Sequence, residues 1–247
     1  MAAELYGRWL ATEERPLVFG HRGARHGAPE NTFAAFNLAL EEGADGVELD
    51  VRLNASGDVV VCHDVTLERV TEGRDLRPVH ELSSRESSSV RLGQAERLPF
   101  LVDVLDWAEQ RRCLLNIEIK ADGRQRRRLV RAVARLTQGR AAAGNLLVSC
   151  FNPLVVRLHG MLAPSVPTAW LLESPVLSRV PILPRAGSAA LHPRESLVNA
   201  ASLPAWKRQG FRVHTWTVND LERARELAAL RVDGLISDQP GKLLRSL

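Results

Sequence analysis

The sequence predicts an α/β protein of the TIM (β/α)8 barrel type. Short β-rich apolar runs alternate with longer amphipathic segments along almost all 247 residues. About eight such repeats in roughly 250 residues is the arithmetic of this barrel. Strict alternation also requires parallel strands joined by right-handed crossovers. A doubly wound open sheet is the competing architecture, but no G-x-G-x-x-G follows the first strand, and polar residues recur on several strands.

In chain order, strands are expected at Leu17–Phe19, Gly46–Leu53, Val59–His63, Leu114–Lys120, Leu146–Cys150, Thr168–Leu172, Ala189–His192, Arg212–Val218 and Gly234–Ser237. Helices are expected at Thr32–Glu42, Leu101–Arg111, Arg124–Gln138, Pro153–Met161, Leu197–Gln209, Leu221–Leu230 and Gly241–Ser246. The helix from Thr32 is typical: Phe33, Phe36 and Leu40 recur at helical spacing and Gly43 stands just past its end. One stretch breaks the rhythm. From Asp64 to Pro99 no convincing strand is visible, Ser and charged residues dominate, and no second core surrounds it. It reads as a small insertion after the strands of the second repeat, within one domain spanning residues 1–247.

The composition is that of an ordinary globular chain, with 45% apolar and 25% charged residues and a formal charge of +4. That excludes a disordered chain, a collagen-like repeat and a disulfide-stapled miniprotein. Cys62, Cys113 and Cys150 sit in separate apolar runs and read as buried thiols of a reducing compartment. Glu4, Arg8, Glu13, Glu14 and Arg15 interrupt every apolar stretch before Pro16, so no export signal is expected. No uncharged apolar run approaches the roughly 20 residues of a membrane helix. A cytoplasmic protein with no stable membrane insertion is the expectation.

Residues i and i+2 of a strand share a face. Glu48 and Asp50 therefore project together from Gly46–Leu53, with Val47, Leu49 and Val51 opposite. Asn116, Glu118 and Lys120 do the same from Leu114–Lys120. In a barrel the apolar set faces the helices, so the polar set must face the axis near the mouth. Converging buried carboxylates need a compensating cation, and all-oxygen ligation suits Mg²⁺, Ca²⁺ or Mn²⁺ better than Zn²⁺. The alternative is an internal salt-bridge network through Lys120, or solvated residues on an edge strand.

His21 follows the first strand and precedes Arg22 and Gly23; His63 ends the run Val59–Cys62 and precedes Asp64. Two imidazoles titrating near pH 6.5 can divide acid and base work at neutral pH, and Arg22 offers a fork that matches phosphate oxygens. Together these groups describe metal-assisted displacement at phosphorus, with Arg22 and Lys120 spreading the developing charge.

His21-Arg22-Gly23, Pro29-Glu30-Asn31-Thr32, Gly43-Ala44-Asp45, Glu48-Leu49-Asp50, His63-Asp64 and Leu67-Glu68-Arg69 resemble the glycerophosphodiester phosphodiesterase family. Leu98-Pro99, Asn116-Ile117-Glu118-Ile119-Lys120, Trp216-Thr217-Val218-Asn219 and Asp233-Gly234 continue the likeness, which runs from about Leu17 to Pro240. The resemblance implies a TIM barrel of the short bacterial cytoplasmic type that hydrolyses a small-molecule glycerophosphodiester to glycerol 3-phosphate and an alcohol. It further implies that Glu48, Asp50 and Glu118 hold one Mg²⁺ or Ca²⁺ ion (Mn²⁺ also fits), that His21 and His63 supply acid and base, and that Arg22 and Lys120 contact the phosphate. By the same likeness, Glu30 lies near the site and residues 64–99 lie beside the barrel mouth. Two rival readings share these residues: a phospholipase-type phosphodiesterase or lyase that forms a cyclic phosphate, and an idle barrel that only binds a phosphodiester. A monomer or homodimer fits either.

Several features read two ways. Glu30 also suits a helix start, since a carboxylate favours the positive helix end. Trp216 shares its predicted face with His214 and Val218 and offers an aromatic wall for glycerol, or plain core. Asp64 either orients His63 or begins the loop, and His192 reads as structural. Residues 64–99 contain no Phe, Tyr or Trp, so no aromatic cage for a choline-like head group is visible there. The arginines of Arg124–Arg135 lack interleaved aromatics, while Leu129, Val130, Val133 and Leu136 form a buried stripe. They read as the solvated face of an outer helix, with no nucleic-acid partner.

Overall fold

A computed structural model describes residues 7–9, 14–121, 123, 125–140, 144–174 and 189–247. Its strands are β1 (Leu17–His21), β2 (Gly46–Leu53), β3 (Val59–Val61), β4 (Arg91–Leu92), β5 (Glu96–Arg97), β6 (Leu114–Ile119), β7 (Leu146–Cys150), β8 (Thr168–Leu172), β9 (Ala190–Pro193), β10 (Arg212–Thr215) and β11 (Gly234–Ser237). Parallel pairing runs β1-β2-β6-β7-β8-β9-β10-β11 and returns to β1, closing an eight-stranded barrel.

Each barrel strand turns one set of side chains outward and one inward. Val47, Leu49 and Val51 of β2 and Leu115, Ile117 and Ile119 of β6 join the main core beneath the helices. Those helices include Phe33–Glu41, Leu101–Arg111, Arg126–Gln138, Pro153–Leu162 and Leu221–Ala229. The start of the expected helix Arg124–Gln138 falls on Arg124, outside the described residues. The expected helix Leu197–Gln209 is split into a 3-10 turn, Glu195–Leu197, and a helix, Ser202–Arg208.

The barrel floor is filled from an unexpected direction. Trp9, on a 3-10 turn (Gly7–Trp9), is fully buried among Leu17, Phe19, Leu147 and Ile236. Its ring stacks on Phe19 at 5.5 Å and His214 at 6.0 Å, and the His214 Nε2 lies 3.0 Å from its carbonyl. Trp9 thus fills the bottom of the barrel, at the end away from the strand C-termini.

Two sequence expectations are corrected here. The run Val59–His63 is not a parallel barrel strand; β3 pairs antiparallel with β2, in the register Val51↔Val61 and Leu53↔Val59. β2 overshoots the rim, turns at Asn54–Asp58 and comes back. Residues 64–99 are not structureless either. They hold a 3-10 turn (Val79–Glu81), a helix (Ser84–Ser89) with a full Ser83/Glu86 capping box, and the β4–β5 pair. They also bury their own small cluster of Leu67, Val79, Leu82, Val90, Leu92 and Leu98 against Val60 and Cys62. Its apolar residues are too widely spaced for a helix or strand period, which hid this packing from the sequence. The three cysteines are free and buried.

Candidate active site

The site lies at the C-terminal ends of the barrel strands, where TIM-barrel enzymes place their chemistry. Strand register alone brings the carboxylates together. His21 stands opposite Glu48 across β1 and β2, and Asp50 stands opposite Glu118 across β2 and β6. One oxygen each from Glu48, Asp50 and Glu118 lies within 4.8 Å of the others, and all three residues are buried.

Two cations answer these three acids. Lys120 Nζ sits 2.9 Å from Asp50 Oδ1 and donates to Glu118 Oε1 at 2.5 Å. Arg22 Nε lies 3.1 Å from Asp50 Oδ2, and its backbone N–H donates to Glu48 Oε2 at 3.1 Å. Asn31 donates its side-chain amide to Asp50 at 3.0 Å. Burial pushes Asp50 up, but Lys120 and Arg22 beside it hold its carboxyl well below the usual range. The same two cations also lower Glu48 and Glu118, but by less than burial and the neighbouring carboxylates raise them. Burial, then Asp50 and Glu118, raises Glu48 well above a normal carboxyl; burial, then Asp50, pushes Glu118 up to about 7. The network expected through Lys120 therefore exists, but it leaves the triad short of positive charge. Oxygen-only donors, deep burial and two carboxyls that need further positive charge to ionise together fit a hard divalent cation.

The loop after β1 owes its shape to left-handed backbone. Arg22 (φ 58°) and Gly23 (φ 80°) turn the chain back over the helix Phe33–Glu41. A Cβ on Gly23 would stand 2.5 Å from the Ala35 carbonyl carbon, so no larger residue fits. The turn closes with Asn31 N–H donating to the Arg22 carbonyl at 2.9 Å, which sets Asn31 beneath Asp50. Thr32 caps the helix, its Oγ1 accepting from Ala35 N–H.

Both histidines are held by carboxylates. His21 Nδ1 lies 2.6 Å from Asp238 Oδ1, and Asp238 in turn accepts from the Asn219 amide at 2.8 Å. His63 Nδ1 lies 2.6 Å from Asp64 Oδ1, and Arg69 Nε donates to Asp64 Oδ2 at 2.6 Å. Burial pushes both aspartates up, yet hydrogen bonds from their partners carry each below a normal carboxyl. Each ionised aspartate therefore accepts from Nδ1–H, which leaves Nε2 as the free acceptor of a ring that lines the cavity. His63 arrives by the hairpin: Cys62 N–H donates to the Asp50 carbonyl at 2.9 Å, and Arg52 clamps the His63 carbonyl.

His21, Arg22, Glu48, His63, Glu118, Lys120 and Trp216 all wall one cavity of about 350 Å³. Glu30 is not on that wall. It accepts from Arg22 at 2.9 Å and from both terminal nitrogens of Arg69, at 2.8 and 2.9 Å. Trp216 stands edge-on to Phe151 at 5.4 Å and donates to the His192 carbonyl. β10 stops at Thr215, so the expected alternation through Val218 fails: Val218 packs in the outer core while His214 lies inside the barrel. His192 is fully buried and stacks on His214 at 5.1 Å.

Sequence reasoning gave no role to Asp238, Asn31 or Arg69. Asp238 could have been suspected from Ser237-Asp238-Gln239-Pro240, an acid just past the last strand. Asn31 and Arg69 fall within the family-like runs Pro29-Glu30-Asn31-Thr32 and Leu67-Glu68-Arg69, but neither run shows its partner, 19 and 39 residues away.

Barrel and mouth together define a TIM-barrel enzyme built to act on an anionic substrate. The profile of the glycerophosphoryl diester phosphodiesterase family matches residues 21–242, and the chain belongs to that family. It is 30% identical over 242 residues to a glycerophosphodiester phosphodiesterase of Caldanaerobacter subterraneus, covering 93% of this chain and 97% of that one. Its fold is similar to that of an Oleispira antarctica phosphodiesterase solved with the product sn-glycerol-3-phosphate (TM-score 0.82, 26% identity, covering 94% and 97% of the two chains). A Thermotoga maritima glycerophosphodiester phosphodiesterase is similarly close (TM-score 0.78, 27% identity, 93% and 97% covered).

Proposed function

We propose that the mouth hydrolyses small glycerophosphodiesters to glycerol 3-phosphate and an alcohol, with two histidines moving the protons and one divalent cation on Glu48, Asp50 and Glu118. The observation that carries this is the carboxylate triad, with Glu48 and Glu118 on the cavity wall and Asp50 within 4.8 Å of both, beside two carboxylate-held imidazoles and the cations Arg22 and Lys120. A bound Mg²⁺, Ca²⁺ or Mn²⁺ supplies Lewis-acid polarisation of a phosphoryl oxygen. The chain's own residues do the rest. Arg22 and Lys120 take the phosphate oxygens, and Glu30 holds Arg22 in place instead of touching the anion. Asp238 and Asp64 orient His21 and His63 so that Nε2 of each can accept or donate a proton. Trp216 offers the glycerol its aromatic face.

On this reading residues 1–247 act as one domain, and the insertion 64–99 reaches the site through Arg69. Three buried free thiols suit a reducing, cytoplasmic setting. Among the described residues no helix is long and apolar enough to cross a membrane.

Release of glycerol 3-phosphate should vanish in EDTA and return with Mg²⁺, Ca²⁺ or Mn²⁺; full activity in chelator overturns the metal assignment. His21→Ala and His63→Ala should each cost at least about a hundredfold, the lower end for general acid–base groups. A time course in ¹⁸O-water separates direct hydrolysis from attack by the substrate's own hydroxyl, which leaves the first-formed phosphorus product unlabelled.

A further inference from the structure

Glu30 gathers more of the mouth than Arg22. Only 9% of its side chain is exposed, and the guanidiniums of Arg22, Arg25 and Arg69 surround it. Arg22 donates to Oε1 at 2.9 Å, Arg69 donates to both oxygens, and Arg25 Nη1 lies 3.7 Å from Oε2. Two of these arginines reach on to the aspartates behind the histidines. Arg69 Nε donates to Asp64, and Arg25 Nε lies 3.5 Å from the same Asp238 oxygen that meets His21. Charges therefore alternate from Asp238 through Arg25, Glu30 and Arg69 to Asp64, with a site imidazole at each end. Burial pushes Glu30 up, yet hydrogen bonds from Arg69 and the charge of Arg22 carry its carboxyl below the ordinary range. It is an anion at neutral pH. Left-handed Asn31 (φ 57°) bonds back to the Arg22 carbonyl and closes the loop that carries Arg22, Arg25 and Glu30.

We propose that Glu30 is a positioning residue shared by both proton carriers: through Arg69 it aims Asp64 at His63, and through Arg25 it aims Asp238 at His21. The inference rests on the phosphodiesterase reading above, which makes the two rings the acid and the base. Exposed ion pairs taken singly are worth little, and Arg25 (35% exposed) and Arg69 (49%) both reach the surface. What gives the chain its hold is the buried anion at its centre and the fork of Arg69, whose three nitrogens serve two carboxylates at once. A lysine, with one nitrogen, cannot replace that fork. Arg25 acts at longer range and makes the weaker branch. Without the charge of Glu30, the three guanidiniums would face one another with no shared anion. Arg69 and Arg25 would then turn toward solvent, and each aspartate would lose the cation that fixes its direction. Arg69 belongs to the segment 64–99, so a part of the chain outside the barrel sets the geometry of a proton transfer within it.

The test reads the ring nitrogens of His21 and His63 by ¹⁵N NMR at about pH 8, where a neutral imidazole shows which nitrogen carries the proton. In the wild type both rings should carry it on Nδ1. Arg69→Met should mix the tautomers of His63 alone, and Arg25→Met, to a smaller degree, those of His21 alone. Glu30→Gln should mix both. Arg69→Lys should not restore His63. Adding Glu30→Gln to Arg69→Met should change His63 no further, since the two act on it in series. With glycerophosphoglycerol as substrate, kcat should fall about tenfold or more in Glu30→Gln, a part of the hundredfold that a positioned acid or base supplies. KM should rise in that variant and not in the other two, because Glu30, unlike either arginine, also holds Arg22. Wild-type shifts at either histidine in Glu30→Gln overturn the inference. Should that variant fail to fold, Arg25→Met and Arg69→Met decide it: a histidine unmoved by the loss of its own arginine overturns it equally. The ring shifts need no turnover, so a wild type that hydrolyses no glycerophosphodiester overturns the phosphodiesterase reading separately.

Discussion

Asp238 and Asp64 each lie 2.6 Å from the Nδ1 of a site histidine, and this contact decides which ring nitrogen can work. A neutral imidazole has one donor and one acceptor; an ionised partner at Nδ1 assigns the donor there and frees Nε2. Asp238→Asn keeps the size of the side chain but can present its amide to Nδ1 and reverse the tautomer. It should lower kcat by two orders of magnitude or more, on the order of the loss when other enzymes' triad aspartates are changed this way, with the fold intact by circular dichroism. An unchanged kcat would reduce Asp238 to a surface partner. At this scale the sequence was legible for Glu48, Asp50 and Glu118, because alternation within one strand fixes their face. It was not legible for Asp238, which meets His21 only because β11 and β1 are neighbours in the closed sheet.

The β2–β3 hairpin carries His63 back to Asp50, and its turn is built around Asn54. The Asn54 side chain accepts from Asp58 N–H at 2.8 Å and donates to Ser87 Oγ at 3.2 Å, fully buried. Asn54→Ala leaves a turn N–H and a hydroxyl of the insertion without their partner. It should cost about 1–3 kcal/mol, read as a lower urea midpoint at unchanged slope. Since the same turn aims His63, activity should fall further than the loss of folded protein explains. The sequence located this element correctly but not its direction, because a short run of valines reads the same in parallel and antiparallel pairing. Only the register against β2 distinguishes them.

Over the whole molecule, buried histidines make folding sensitive to acid. Burial carries His159 down to about 4 and His192 well below its ordinary value. The unfolded chain takes up these protons near pH 6.5, while the folded protein takes up that of His159 only near pH 4. Between those values the unfolded chain binds more of these protons, so the histidine contribution is full above about pH 6.5 and is lost on acidification, while the raised carboxyls of Glu48 and Glu118 act in the opposite sense. At roughly 1.4 kcal/mol per pH unit per group, His159 alone accounts for about 3 kcal/mol. Urea unfolding of wild type and His159→Leu from pH 7.5 to 4.5 isolates this contribution: relative to the variant, the wild type should lose about that much stability on acidification. A variant with the wild-type slope would place the acid sensitivity elsewhere.

The order of the parallel barrel strands and most of their outer helices, the outward apolar faces and the inward carboxylates were written in the sequence, because each depends on a period of two or on helical spacing within one element. The tertiary structure decided the rest: the Trp9 plug, the hairpin return of His63, and the Asp238, Asn31 and Arg69 contacts that aim the site. Those join residues far apart in the chain, and only closure of the sheet brings them within reach of a hydrogen bond. The same closure sets Asp50 opposite Glu118 and concentrates negative charge where a cation and a phosphate can meet.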